Sequence, residues 1–456
     1  MITIKTDSRK IKPGDTFVAV KCEQNDGHKY IEKAIENGAS KVVCEHGNYS
    51  VETIVVDDTR KYLEEILLKE YSYVFDKLKL IGITGTNGKT TTAYITQKVF
   101  NSLGKKCAYI GTIGYYIDEK IKPLPNTSPD LADLYELFID AYEKGCEYVV
   151  LEASSQGLDA GRLNTLKFDY AIFTNLTQDH LDYHKTMENY ANAKKILFDK
   201  LKDDGVSIVN ADDPYHTYYI KPNLITYGFN ESDYRITSYE LTPTYSLFKY
   251  KHDKEEYEIK LSIPGKHNIY NALVSIILLT NEGIKYEDFK EQFNSLTSPD
   301  GRMNTIKYKN SIIIIDYAHT PDAVEKIINT AREMTKGDIY TVFGCTGNRD
   351  RTKRPIMTDI VTNLSTKAII TIDDLHDEEA EDIINDMLKG LKNTNYEIEL
   401  DRFKAIKKGM SYLKDNDILL ILGKGHEEFI IIKNEKIPHN DMKAVQQIMK
   451  EEDISN

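Results

Sequence analysis

Proline is scarce in this chain, with 12 in 456 residues, so domain boundaries must be sought in pattern changes and not in proline-rich linkers. No low-complexity tract or internal repeat is present, which excludes repeat arrays. No run of apolar residues approaches the length of a membrane span, and the opening MITIKTDSRK has no apolar core of a signal sequence, so neither secretion nor anchoring is predicted. The five cysteines (Cys22, Cys44, Cys107, Cys146, Cys345) form no Cys-x-x-Cys pair and are odd in number, which predicts reduced thiols and a cytoplasmic protein. Positive charge is outnumbered, with 59 Lys and Arg against 72 Asp and Glu. A net charge of −13 disfavours general nucleic-acid binding, so any phosphate recognition must be local. No guanine-reading Asn-Lys-x-Asp motif accompanies the phosphate loop described next, which disfavours a switch GTPase.

What is present begins with Ile81–Thr92, IGITGTNGKTTT. An apolar run predicts a buried strand over Leu78–Ile83, and the residues after Gly88 predict a helix. Gly85 and Gly88 permit a tight turn whose amides face phosphate oxygens. Lys89 supplies a charge for the terminal phosphates, Thr90 a hydroxyl for Mg²⁺, and the helix N-terminus favours the same anion. The loop departs from the usual Walker pattern, since Ile83 stands where its first glycine belongs.

With 41% hydrophobic and 29% charged residues, the chain reads as a globular protein of about three domains. Short strands are predicted at Asp15–Val20, Lys41–Cys44 and Thr53–Val56, with a helix over Tyr30–Asn37. Strand-then-helix units follow at Tyr109–Gly111, Tyr148–Leu151, Ala171–Thr174 and Ser207–Val209. After a polar stretch ending at Gly301-Arg302, further strands are predicted at Ser311–Ile315, Ile339–Phe343, Ala368–Ile372 and Ile418–Leu422. This alternation predicts an α/β protein of parallel sheets covered on both faces, with ligands at the carboxyl ends of the strands.

Several polar residues fall at those ends. Glu152 closes an apolar run, where it could serve a Mg²⁺ ion or stand as an exposed loop acid. Asp179-His180 lie in NLTQDHLDYH, as metal ligands or as a hydrogen-bonded turn. Lys194 beside Lys195 reads, from the residues alone, as the solvated face of a helix over Met187–Leu201. Asp316 ends a strand before Thr320-Pro321-Asp322, which resembles a capped helix start and could accept from a ribose hydroxyl. Gly423–Glu427 ends the last strong apolar run.

Taken in order, the motifs resemble the Mur ligases, most closely the MurE type, which adds the third residue to the peptidoglycan stem peptide. TDSRKIKPGDTFVAV (Thr6–Val20), GTNGKTTT, FTNLTQDHLDYH, YANAKKILF, IYNAL, DGRMN, DYAHTPDAVEKI, VFGCTGNRDRTKRP and LGKGHE carry the resemblance nearly end to end. It implies three α/β domains: a uridine-nucleotide domain over residues 1–78, a central ATPase-like parallel sheet over 79–300, and a Rossmann-like amino-acid-binding domain over 301–456. It implies ATP and Mg²⁺ as cofactors, small-molecule substrates and a monomer, with no nucleic-acid or membrane partner. Gly85, Thr86, Asn87, Gly88, Lys89, Thr90 and Thr91 would hold the ATP phosphates, Asn271 the adenine, and Arg302 and Asp316 phosphate and ribose. Thr90, Glu152, His180 and a carbamylated Lys194 would hold metal, which reverses the bland reading of that lysine. Lys89, Glu152, His180 and Lys194 would be the catalytic set. Ser8, Thr127, Ser128, Ser154, Ser155 and Arg162 would meet the donor, UDP-MurNAc-L-Ala-D-Glu. Arg349, Asp373, Asp374, His376, Gly423 and Glu427 would meet the incoming amino acid.

Departures from the family pattern add expectations. Relatives that use meso-diaminopimelate carry Asp-Asn-Pro-Arg, whereas this chain has Asp373-Asp374-Leu375-His376, followed by Asp377-Glu378-Glu379. Losing the arginine disfavours a distal carboxylate and suits the bare ammonium of lysine or ornithine. The acids at 377–379 could attract that ammonium or simply favour a helix N-terminus. Gln156 replaces the usual histidine after the paired serines, and Cys22-Glu23-Gln24 replaces Gly-His-Gln near the uracil. These changes leave room for a paralogue with another carboxylate donor, or for a non-catalytic nucleotide or muropeptide sensor. A folylpolyglutamate-synthetase-like ligase shares the ATP chemistry but lacks the Asp7-Ser8-Arg9 region.

Overall fold

The computed structural model describes residues 3–21, 26–433 and 435–455; the altered segment Cys22–Gln24 lies outside them. Three parallel-cored sheets follow one another along the chain. The first has four parallel strands in the order Ile4–Lys5, Thr16–Val18, Lys41–Cys44, Glu52–Val55. The second has eleven, with Lys79–Thr84 flanked by Phe168–Phe173 and Tyr148–Glu152 at its parallel centre. The third has six, with Ser311–Asp316, Ile418–Leu422, Ile339–Phe343, Lys367–Ile370 and Tyr396–Ile398 all parallel.

The apolar runs are continuous because both faces of these sheets are covered. In the central sheet Ile81 and Ile83 turn to one core with Ile95, Val99 and Leu273, while Leu80 turns to the other with Phe138 and Leu197. The third sheet divides in the same way, with Ile314 and Leu420 on one side and Ile313, Ile315 and Leu419 on the other.

The expectation of wholly parallel sheets needs correction at the edges. Tyr234–Leu241, Ser246–His252 and Glu255–Leu261 extend the central sheet as an antiparallel ribbon, and Gly114–Tyr116 and Lys120–Lys122 extend its other edge. Asn304–Tyr308 pairs antiparallel with the third sheet, and Phe429–Ile432 forms a hairpin with Glu435–Pro438. Tight turns join most of these strands, and a tight turn permits only antiparallel pairing. Cys44, Cys107, Cys146 and Cys345 are buried and unpaired. Among the described residues, no helix is long and apolar enough to cross a membrane.

Candidate active site

The carboxyl ends of the central and third sheets face one another across a cleft with two adjoining cavities, of about 490 and 480 Å³. Asn87, Gly88, Thr91, Arg302, Tyr317 and His319 line both, so the two are parts of one site.

The phosphate loop runs from the strand Lys79–Thr84 into the helix Lys89–Ser102. Gly85 (φ 146°) and Gly88 (φ 88°) take backbone conformations that side chains disfavour. A Cβ on Gly85 would lie 1.9 Å from Thr174 Oγ1, so no side chain fits there. Lys89 Nζ donates to the Gly85 and Thr86 carbonyls at 3.0 and 2.9 Å, and burial lowers its pKa.

Strand register sets Glu152 opposite Ile83, beside this loop. Its fully buried carboxylate accepts from Thr90 Oγ1, Thr112 Oγ1 and Thr112 N, each at 3.0 Å, and from the Tyr109 hydroxyl. Burial, reinforced by the Glu152 charge, pushes the Tyr109 hydroxyl well above its usual pKa. Among the described residues no Lys, Arg or His pairs with Glu152. A buried carboxylate ringed by hydroxyls, in no direct ion pair and with only the nearby Lys89 charge to offset it, fits a hard divalent cation. His180 takes a left-handed conformation (φ 52°) on the facing loop and lines the same cavity.

Lys194 is not on a solvated face. It is 1% exposed, whereas Lys195 is exposed. Its nitrogen donates to the Gly85 carbonyl at 2.8 Å and lies 4.2 Å from the centre of the Tyr190 ring. Burial, reinforced by Lys89, holds its pKa well below the usual lysine range.

The first cavity is lined by Asn268, Asn271, Tyr270 and Tyr227, an amide and aromatic wall suited to a purine. Asn271 is held by Thr92 Oγ1 and Asn268 Oδ1, each at 3.0 Å. Arg302 stacks on Tyr317, and its buried Nε has no hydrogen-bond partner among the described residues. Both Asp316 oxygens already accept backbone N–H groups, from Met303 and Ala318, so this aspartate also braces its own turn.

On the acceptor side, Asp373, Asp374 and Glu427 converge on the fully buried Lys424, whose nitrogen lies 3.4, 2.8 and 2.7 Å from them. Burial pulls the Lys424 pKa down, but Asp373 and Glu427 outweigh it and hold it above its ordinary value. Arg402 ties this corner together. It pairs with Asp441 through two 2.8 Å bonds and donates to the carbonyls of Ile372 and Leu422, so it clamps the strand ends that lead to Asp373 and Gly423. Arg349 lines the cavity and, among the described residues, has no carboxylate partner. His376 and Gly423 line it too.

The acids at 377–379 do not crowd the acceptor pocket as free charges. Asp377 accepts from Asn348 at 2.8 Å, Glu378 takes a bidentate pair from Arg354 at 2.7 and 2.8 Å, and Glu379 pairs with Lys433 before the helix Ala380–Leu388. Glu379 precedes that helix without capping it through its side chain, so these acids neither face the acceptor as free charges nor act as a side-chain helix cap, but hold neighbouring segments together.

Among the expected donor residues, Thr127 and Ser154 reach the cavity wall, and Thr127 Oγ1 lies 3.1 Å from Thr112 Oγ1. Ser128 and Arg162 support them from behind: Ser128 Oγ lies 2.9 Å from Ser154 Oγ, and Arg162 donates to the Ser128 carbonyl. Ser155 is buried against His184 Nε2 at 3.0 Å, and Gln156 is exposed. Ser8 is buried in the first sheet's region and lies in neither cavity. Thr112, Tyr109, Lys353, Arg354 and His319 also belong to the site, although nothing in the sequence singles them out. Lys424 was visible inside LGKGHE, but nothing local says that it turns inward.

Comparison with known proteins matches three family models: "Mur ligase family, catalytic domain" over residues 2–71, "Mur ligase middle domain" over 83–279 and "Mur ligase, glutamate ligase domain" over 301–425. The UDP-N-acetylmuramoyl-L-alanyl-D-glutamate–2,6-diaminopimelate ligase of Clostridium botulinum is 41% identical, covering 98% of this chain and 95% of that one. A solved structure of an enzyme with that name is 30% identical, with a TM-score of 0.69 over 98% of this chain and 94% of the other. The MurF ligase of Thermotoga maritima, solved with ADP, shares the fold with a TM-score of 0.73 at 20% identity, over 99% and 98% of the two chains.

Proposed function

The chain belongs to the Mur ligase family and is an ATP-dependent, ADP-forming ligase; from that premise we propose that it adds the third stem-peptide residue to UDP-MurNAc-L-Ala-D-Glu, with L-lysine or ornithine favoured. The observation that carries this reading is the meeting of the phosphate loop and buried Glu152 with Arg349, Asp374 and Glu427 in one cavity of about 480 Å³. Phosphoryl transfer and amine capture can then occur in one place.

A carboxylate is a poor electrophile, so the D-Glu γ-carboxylate attacks the γ-phosphorus of ATP and becomes an acyl phosphate as ADP leaves. The α-amine of the acceptor, having lost a proton, adds to the acyl carbon, and collapse of the tetrahedral intermediate expels inorganic phosphate. Lys89 and Arg302 offset the charge that otherwise keeps carboxylate and phosphates apart. Thr90, Glu152, His180 and a carbamylated Lys194 are the residues that would hold Mg²⁺, which when bound supplies further charge neutralisation. Arg349 takes the acceptor α-carboxylate in a bidentate grip. Arg402 and Asp441 keep the acceptor loops in register, and this positioning supplies much of the rate.

Acceptor choice follows from charge. Asp373, Asp374 and Glu427 share the single ammonium of Lys424, so this corner keeps an excess of negative charge that suits a distal ammonium; Arg354 is consumed by Glu378 and Asp386, and His376 stands where a diaminopimelate enzyme has arginine. A second reading, meso-diaminopimelate as acceptor, is favoured by the name of the 41% identical relative. ADP release measured with donor, ATP and Mg²⁺ against lysine, ornithine and meso-diaminopimelate tests the proposal. Release that needs the donor and is fastest with lysine or ornithine supports it; preference for meso-diaminopimelate overturns the acceptor assignment, and no release with any acceptor overturns the whole reading.

A further inference from the structure

Lys353 is the first residue of the helix Lys353–Leu364 on the third sheet, and it is 7% exposed. A buried ammonium is costly without a partner, and the positive end of a helix adds to that cost. Its partner comes from the opposite wall: Lys353 Nζ lies 2.9 Å from Asp179 Oδ1, both side chains 8% exposed. Among the described residues Lys353 pairs with no other carboxylate. Asp179 in turn holds His180. The same Oδ1 accepts from the His180 backbone N–H at 2.9 Å, and Oδ2 lies 3.5 Å from His180 Nε2. A second bridge, Asn87 Nδ2 to Asp322 Oδ2 at 2.9 Å, joins the two walls at the phosphate loop.

We propose that Lys353 is a positioning residue: it reaches from the acceptor wall to Asp179 and, through that carboxylate, sets His180 only when the two walls of the cleft have closed on each other. When the walls part, Lys353 and Asp179 both return to water and His180 loses its brace. The device makes phosphoryl transfer wait for the acceptor wall to arrive, which protects the acyl phosphate from water. The inference rests on the ligase reading above.

The test compares wild type with K353M, K353R, D179N and the K353M/D179N double variant, each confirmed folded by thermal melting. K353M is expected to lower kcat at least 30-fold while the KM for ATP moves less than threefold, and K353R to recover part of the loss. The double variant is expected to be no worse than the poorer single one. Turnover by K353M within twofold of wild type, or losses that multiply in the double variant, would overturn the proposal. If K353M does not fold, D179N and K353R carry the same comparison. Small-angle scattering with Mg²⁺ and adenylyl imidodiphosphate reads closure without turnover, so it separates this proposal from the ligase reading. Should wild type turn over no acceptor, the ligase reading fails. The latch then stands only if wild type contracts more than K353M, and equal contraction overturns it.

Discussion

The Lys194 side-chain nitrogen lies 2.8 Å from the Gly85 carbonyl oxygen, which ties the buried one of two adjacent helix lysines to the first residue of the phosphate loop. Burial favours its neutral amine, and a neutral amine is the form that adds carbon dioxide to give a carbamate. Lys194→Ala is therefore expected to reduce turnover by at least about 100-fold, with partial recovery on adding a short-chain carboxylate such as acetate. Activity equal to wild type would remove Lys194 from the site.

Gly85→Ala tests the loop's geometry. The new methyl group would meet Thr174 Oγ1 at 1.9 Å, so the loop must shift. A displacement near 1 Å at a reacting centre costs about 100-fold, and kcat/KM for ATP is expected to fall by that order. Initial rates across ATP concentrations decide the point.

The Arg402–Asp441 pair is wholly buried, and removing Arg402 leaves the Asp441 carboxylate only the His439 ring nitrogen, at 2.9 Å, as a side-chain partner. Arg402→Met is expected to destabilise the chain by about 3–5 kcal/mol, read as a lower urea midpoint. An unchanged midpoint would mean that the strand ends before Asp373 and Gly423 need no clamp.

Glu378 supplies a pH dependence. Hydrogen bonds from Arg354 lower its pKa from 4.5 to about 2. Because the folded value is the lower one, its stabilising contribution is present above about pH 4.5 and is lost as the pH falls toward about 2. Wild type should therefore exceed Glu378→Gln in melting temperature at pH 6, and the gap should narrow by pH 2.5. A gap that stays constant would deny the carboxylate this role.

Much of this was legible from residue order alone. The runs Lys41–Cys44, Ile339–Phe343 and Ile418–Leu422 coincide with observed strands, because buried parallel strands leave no polar gaps. The phosphate loop and Glu152 were readable for a similar reason: polar residues that abruptly end an apolar run mark a strand's carboxyl end. The antiparallel ribbon over 234–261 went unread, although Tyr234, Ile236, Phe248, Tyr250, Ile259 and Leu261 alternate with exposed residues. Charged residues between them obscured the period of two. Lys194 and Lys424 show the deeper limit. A lysine's burial depends on which carbonyls or carboxylates the fold brings to it, and those lie 109 and 50 residues away.

His376→Arg returns a guanidinium to the acceptor loop. The exchange is expected to raise the ratio of kcat/KM for meso-diaminopimelate to that for lysine by at least about tenfold, since a charge-assisted pair to a carboxylate contributes about 1.5–3 kcal/mol. No change in the ratio would show that position 376 does not face the distal end of the acceptor.

The most direct measurement is the mass of the nucleotide product formed when UDP-MurNAc-L-Ala-D-Glu, ATP and Mg²⁺ meet an equimolar mixture of lysine, ornithine and meso-diaminopimelate. A tripeptide product carrying lysine or ornithine, formed with one ADP per product, is the expected result. A product carrying diaminopimelate would contradict the acceptor assignment drawn from Asp374, His376 and Glu427, and no tripeptide at all would contradict the donor.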